Sequence, residues 1–288
     1  MKNSQRNILI TGASTGIGAA CTEFLSKQGF RVFAGVRKHE DAQRIALESA
    51  GKIVPVIIDV TKAESIENAK QLIEKMTGTK GLAALVNNAG MAVSGPLEFL
   101  SVDALRHQME VNVVGQVAVT QTFLPLLRQG NGRVINIGSI SGKIAYPFLG
   151  PYSASKYALE AITDSLRMEL RPWNIPVSIL QVGCIATPLW KKSLEESGRV
   201  ISQLPETGKM LYGKVMTRMM SLALNRGNVG NSPQLLAETI LKALTAAKPR
   251  FRYKVGRDAK FRITLSQLLP SRLLDWVIAK AIYTSTAQ

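Results

Sequence analysis

Tyr152 and Lys156 stand four residues apart in the run Tyr152-Ser153-Ala154-Ser155-Lys156. On a helix that spacing puts both on one face, about 6 Å apart along the axis. A phenol with an ordinary pKa near 10 is a poor base at neutral pH, but a neighbouring ammonium favours its phenolate and makes Tyr152 a proton shuttle. Ser139 lies 13 residues earlier, just past a strand-like run, where its hydroxyl can donate to a carbonyl oxygen and stabilise charge developing there. A second chemical signal sits near the amino terminus, in Thr11-Gly12-Ala13-Ser14-Thr15-Gly16-Ile17-Gly18. Glycines there let the backbone approach a pyrophosphate, and the helix that follows presents unpaired N–H groups to its charge. The spacing is TGxxxGxG, not the GxGxxG form.

These residues need a frame that brings them to one edge. Short β-branched runs at Ile8–Thr11, Arg31–Val36, Ile53–Asp59, Ala83–Asn87, Arg133–Ile137 and Val177–Val182 read as strands, separated by helix-length amphipathic segments. Strands alternating with helices predict an α/β fold, a Rossmann-type doubly wound parallel sheet whose ligands bind at the carboxyl ends of the strands. No internal repeat or Gly/Ser linker marks a second domain, so residues 1–288 are expected to form one dinucleotide-binding domain. The alternation lapses from Leu189 to Asn231, and residues 188–231 are expected to be a substrate lid; Met216, Met219 and Met220, at i, i+3 and i+4, would share one face if that part is helical. The same stripe can equally serve to cover the core. A helix over Gln234–Ala247, a strand near Arg252–Val255 and a helical stretch over Phe261–Tyr283, interrupted at Pro270, complete the chain.

Asn87-Asn88-Ala89-Gly90 after the fourth strand and Asn112 in the next helix join the glycine turn, Ser139 and the Tyr152/Lys156 pair in a fixed order. On these residues the chain resembles the short-chain dehydrogenase/reductase family in its classical branch, over roughly residues 5 to 190. The resemblance implies hydride transfer between a nicotinamide cofactor and an alcohol or carbonyl substrate. Ser139 and Tyr152 would act on the substrate, Lys156 would also grip the nicotinamide ribose, and Asn112 would hold the water that links Lys156 to solvent. Gly12, Ser14, Thr15, Gly16, Ile17, Gly18, Asn88, Ala89 and Gly90 would lie against the cofactor. Asp59 matches the position that bonds the adenine amino group, with Val60 beside it, although Asp59 can also cap the helix starting near Ala63. After the sixth strand Gly183, Ile185 and Thr187 keep the pattern that contacts the nicotinamide carboxamide, while Val182 stands where the family has proline. Family members commonly associate, so a dimer or tetramer is implied.

The end of the second strand bears on the choice of cofactor. Val36 occupies the place of the acidic residue that binds a ribose 2′-OH, and Arg37 and Lys38 follow it. Both can pair with a 2′-phosphate, which favours NADP(H) over NAD(H), though either can also be an ordinary solvated charge. Leu189, Trp190, Leu204, Leu211, Tyr212 and the methionines would make a greasy substrate wall, with Trp190 and Met216 its leading members beside Ser139. A lipophilic ketone or alcohol fits such a wall. The phrases Arg31–Gly35 and Pro188–Ser193 are also similar to the branch of retinol, hydroxysteroid and 3-hydroxybutyrate dehydrogenases. Two alternatives accompany this reading: reduction of a 3-oxoacyl chain on an acidic carrier protein, and a non-catalytic nucleotide sensor or membrane-bound interaction protein.

Composition bounds the rest. The 288 residues carry 36 Lys plus Arg against 20 Asp plus Glu, a net charge of +16, yet 46% are hydrophobic, which excludes a disordered basic tail. Residues 241–288 alone carry a net +8, and the 258–288 extension could lie on an anionic membrane or pack as a core helix with a basic outer face. A sequence-specific nucleic-acid role is not expected, because no reading module is present and only 6% of residues are aromatic. Cys21 and Cys184 are too far apart to suggest a disulfide framework, and the polar MKNSQRN start lacks a signal-peptide core. A cytoplasmic protein is therefore expected, with no spanning helix. His39 and His107 are too few and scattered for a metal site.

Overall fold

Strand β1 (Asn7–Ile10) is buried along its whole length, as are β4 (Ala84–Asn87) and β6 (Val177–Val182), so buried and exposed positions do not alternate along them. That pattern belongs to a parallel sheet covered on both faces. With β2 (Arg31–Val36), β3 (Ile53–Ile57), β5 (Arg133–Ile137) and β7 (Arg252–Val255), they form one seven-stranded sheet in the order β3-β2-β1-β4-β5-β6-β7, parallel at every pairing. The computed structural model describes residues 6–186 and 198–283.

Helices α1 (Gly16–Lys27), α2 (His39–Glu48), α3 (Ala63–Thr77), α4 (Val102–Met109), α5 (Gly115–Gln129) and α6 (Gly150–Glu169) connect the strands up to β6. Two apolar layers result. Cys21, Leu25, Leu236 and Ile240 pack against one face of the sheet, and Ile66, Ile73, Phe123 and Leu127 against the other. The strand order reverses between β1 and β4, which places the glycine turn after β1 beside Asn87–Gly90 after β4.

The stretch with no readable alternation contains a 23-residue helix, α7 (Glu206–Asn228). Tyr212 anchors it, donating to Glu98 at 2.7 Å and packing edge-on against Phe99 and Phe148 with ring centroids 6.0 Å away. Met216 is buried, Met219 and Met220 are half-buried, and Met210 points to solvent. Helix α8 (Pro233–Thr245) follows, then β7 and the helices α9 (Arg257–Leu268) and α10 (Ser271–Tyr283), which part at Pro270. None of the described helices is long and apolar enough to cross a membrane.

Candidate active site

The glycine turn is shaped by the strand next to it. The Thr11 hydroxyl accepts from the backbone N–H of Asn88 and of Ala89, each at 3.0 Å, and the Asn88 amide donates back to the carbonyls of Thr11 and Gly12 at 2.9 and 3.0 Å. Gly12 and Gly16 sit at φ +65° and +57°, in the left-handed region that favours glycine, and a Cβ on Gly18 would overlap the Gly12 carbonyl. Ile17, half-buried, packs against the apolar layer behind the turn. Arg44 on α2 donates to the Ser14 carbonyl at 2.7 Å. The open space above Gly16 and the absence of a capping bond from Thr15 leave the first turn of α1 fitted to an anionic group such as a pyrophosphate.

Arg37 and Lys38 follow β2 as exposed side chains, with no ion pair within 4 Å among the described residues. Asp59 lies across from them beyond β3. Burial pushes its carboxyl up, but the Thr61 N–H and hydroxyl, at 3.0 and 2.8 Å, with Arg37 and Lys62 nearby, outweigh burial and hold it below the usual carboxylate range. Asp59 thus turns the chain toward α3, whose N-cap is Lys62. Val60 is buried under the start of α5, where a Cβ on Gly115 would come within 2.7 Å of its carbonyl.

Ser139, Tyr152 and Lys156 converge at the end of β5. The Ser139 side chain lies close enough to Tyr152 to favour its ionised form, and its Oγ accepts from the Ser141 N–H at 3.1 Å, which fixes its rotamer. The Lys156 ammonium lies 5.7 Å from the Tyr152 ring centroid and donates to the Ile137 carbonyl at 2.8 Å. Burial pushes Tyr152 above the ordinary phenol value; the Ser139 hydroxyl opposes this and Cys184 adds to it. Burial also brings Lys156 from 10.5 to about 8. Desolvation therefore governs both groups, so the ammonium alone does not make Tyr152 a phenolate here.

Asn112 is fully buried in a single π-helical turn, Glu110–Val114, between α4 and α5, where such insertions often mark functional sites. Its amide donates to the Met91 carbonyl and to Ser155 Oγ, both at 3.0 Å, and its oxygen accepts from the Met91 N–H at 2.9 Å. The sequence predicts an ordinary helix at this point. Gly90 approaches the same amide so closely that a Cβ would stand 3.3 Å from its oxygen.

Ile185 is buried beside the site and pairs with Asn231 in a parallel bridge. Thr187 and Trp190 lie outside the described residues, as does the 188–197 part of the wall expected over 188–231. Cys184 is half-buried and near enough to Tyr152 to act on its charge, while the Cys21 thiol is buried and pushed up to about 12, where it is inert. Three partners escape a reading by motif: Arg44 on the glycine turn, and Asn231 and Asp258 on the loop after β6. They act across 30 to 74 residues and carry no local pattern. A separate groove of about 990 Å³ runs along β7 between Lys143, Lys242, Lys254 and Lys260, and contains none of Ser139, Tyr152 and Lys156.

Comparison with known proteins follows the same residues. The family model for short chain dehydrogenase matches residues 6–198. The chain is 34% identical to a 17-beta-hydroxysteroid dehydrogenase type 6 of Bos taurus over 279 residues, 95% of this chain and 88% of that one. It is 35% identical to an NADPH-dependent 3-dehydrocapnine reductase of Ornithobacterium rhinotracheale, covering 98% of this chain and 99% of that one. A short chain dehydrogenase from Burkholderia cenocepacia solved in complex with NADP superposes with a TM-score of 0.73 at 26% identity, over 96% of this chain and 99% of that one.

Proposed function

The chain belongs to the short-chain dehydrogenase/reductase family, and from that membership we propose that it moves a hydride between NADP(H) and a lipophilic carbonyl compound or secondary alcohol, with Tyr152 as acid and base. The observation that carries this reading is the convergence of Ser139, Tyr152 and a buried Lys156 at the end of β5. When bound, the nicotinamide supplies the hydride chemistry. Ser139 donates to the substrate oxygen and stabilises its negative charge as the carbonyl is reduced. Tyr152, held as the neutral phenol by burial, delivers the proton to that oxygen, and in oxidation it takes the proton back. Lys156, anchored on the Ile137 carbonyl, keeps a positive charge beside the phenol and bonds the ribose. Asn112 ties the Met91 backbone to Ser155, the neighbour of Lys156 on α6.

Gly12 through Gly18 and the first turn of α1 would cradle the pyrophosphate, with Asn88, Ala89 and Gly90 packed beside it. Asp59 and Val60 would border the adenine, and Arg37 and Lys38 would pair with the 2′-phosphate. The NADPH dependence in the name of one relative and the NADP in one related structure support that choice. A lipophilic substrate is supported by the hydroxysteroid in another relative's name and by the buried Met216 on α7. Trp190 and residues 188–231 would complete the substrate wall.

The test is separate titration of NADPH and NADH into the protein, read by Trp173 and Trp190 fluorescence. NADPH is expected to bind at least about tenfold tighter, and Arg37→Ala to erase most of that gap while leaving NADH unchanged. Binding of neither nucleotide would overturn the assignment.

A further inference from the structure

Strand β6 ends on Val182 where the family has proline, so the loop that follows lacks that restraint. The carboxyl-terminal region holds it instead. Asp258, in the first turn of α9, accepts from the Cys184 N–H at 2.8 Å with one oxygen and from the Asn231 amide at 2.9 Å with the other. The same amide nitrogen donates to the Cys184 carbonyl at 2.9 Å. Backbone bonds close the knot: Asn231 N–H to the Cys184 carbonyl at 2.8 Å, Ala186 N–H to the Asn231 carbonyl at 2.9 Å, and Gly183 N–H to the Val255 carbonyl at 3.0 Å.

The packing leaves no slack. A Cβ on Gly183 would overlap the Asp258 carboxylate, and one on Gly256, at φ +101°, would overlap the Asn231 amide. Helix α9 also reaches the opposite wall. Ala259 and Ile263 pack with Ile140, the neighbour of Ser139, and Arg262 donates to the Tyr146 hydroxyl at 3.1 Å. One helix start therefore joins the Ser139 loop to the loop after β6. The carboxylate suits its place, because the N-terminal end of α9 favours negative charge and bonds to a charged acceptor are the stronger kind.

We propose that Asp258 and Asn231 are positioning residues that hold the 183–186 backbone in the form that receives the nicotinamide half of the cofactor. This rests on the nucleotide reading above. On that reading the loop would meet only the nicotinamide end, so removing the clamp should weaken the whole dinucleotide and spare its adenosine end.

The experiment compares NADPH with adenosine 2′,5′-bisphosphate on full-length protein by calorimetry. Asp258→Ala is expected to raise the Kd for NADPH about tenfold and leave that for the bisphosphate within about twofold. Asn231→Ala keeps the carboxylate bond to Cys184 and is expected to give a loss of about threefold, which provides a milder variant should Asp258→Ala not fold. Equal losses for both ligands, or none for either in both variants, would refute the clamp alone. Wild-type protein that binds neither ligand would refute the nucleotide site and this role with it.

Discussion

Replacing Lys156 with methionine should abolish turnover and yet make the protein more stable. Lys156 is 6% exposed, and burial moves its pKa from 10.5 to about 8. That displacement corresponds to about 3 kcal/mol against folding when the group is charged. Folded protein binds this proton less tightly than the unfolded chain, so the penalty is whole below pH 8 and fades as pH rises from about 8 to 10.5. Methionine is of similar length and has no charge to desolvate, but it loses the 2.8 Å bond to the Ile137 carbonyl, about 1–2 kcal/mol. The net gain at pH 7 is about 1–2 kcal/mol, or roughly 2–6 °C in Tm for a chain of this size. Thermal unfolding of wild type and Lys156→Met between pH 6.5 and pH 10.5 reads the difference directly. A lower Tm for the variant at pH 7, or a gap that does not shrink toward pH 10.5, would show that burial is not what displaces this lysine.

Tyr152→Phe keeps the ring and its packing, and is expected to lower kcat by about 10²- to 10⁴-fold with NADPH binding within about threefold of wild type; retained turnover would exclude Tyr152 as the proton donor. Leu273, Trp276 and Val277 are exposed together on α10, with Lys280 over the Trp276 ring at 4.9 Å. Cosedimentation with anionic vesicles is expected for the full chain at low salt and should fall several-fold in Trp276→Ser/Val277→Ser, whereas a full chain that ignores vesicles excludes a membrane role for this face. Point substitutions are needed here, because a cut at residue 258 would also remove Asp258 from the loop after β6.

Several elements are legible in the sequence because their cause is local. The bounds of β2, β5 and β6 coincide with their β-branched runs, since parallel strands covered on both faces are rich in such residues without alternation. Strand β1 ends one residue before the predicted Thr11, whose hydroxyl is committed to Asn88 and Ala89 instead. The Tyr152/Lys156 pair is legible for the same reason, being set by one turn of α6. Helix α7 is not, because Gly208 and Gly213 dilute its pattern and Met210 and Leu211 face solvent, while its hold on the fold comes from Tyr212 meeting Glu98 across 114 residues. Asp258 reads as one of two acids in a basic tail until α9 brings it to Cys184, 74 residues away. Asn112 is found by pattern, but the π turn that aims it at Met91 has no signature in composition.

The bonds between Thr11 and the Asn88–Ala89 backbone also bear on the order in which the molecule is made. The glycine turn leaves the ribosome early, but the groups that shape it are 76 to 78 residues behind. Closing contacts of that separation is slow compared with local helix formation. A nascent chain that has reached β3 carries every residue of the turn and its Arg44 contact but none of the Asn88–Ala89 bracing, so nucleotide should select chains in which β4 has already docked against β1. Ligand present during synthesis would then act on a late folding step, favouring completed sheets and leaving early fragments to the quality-control machinery.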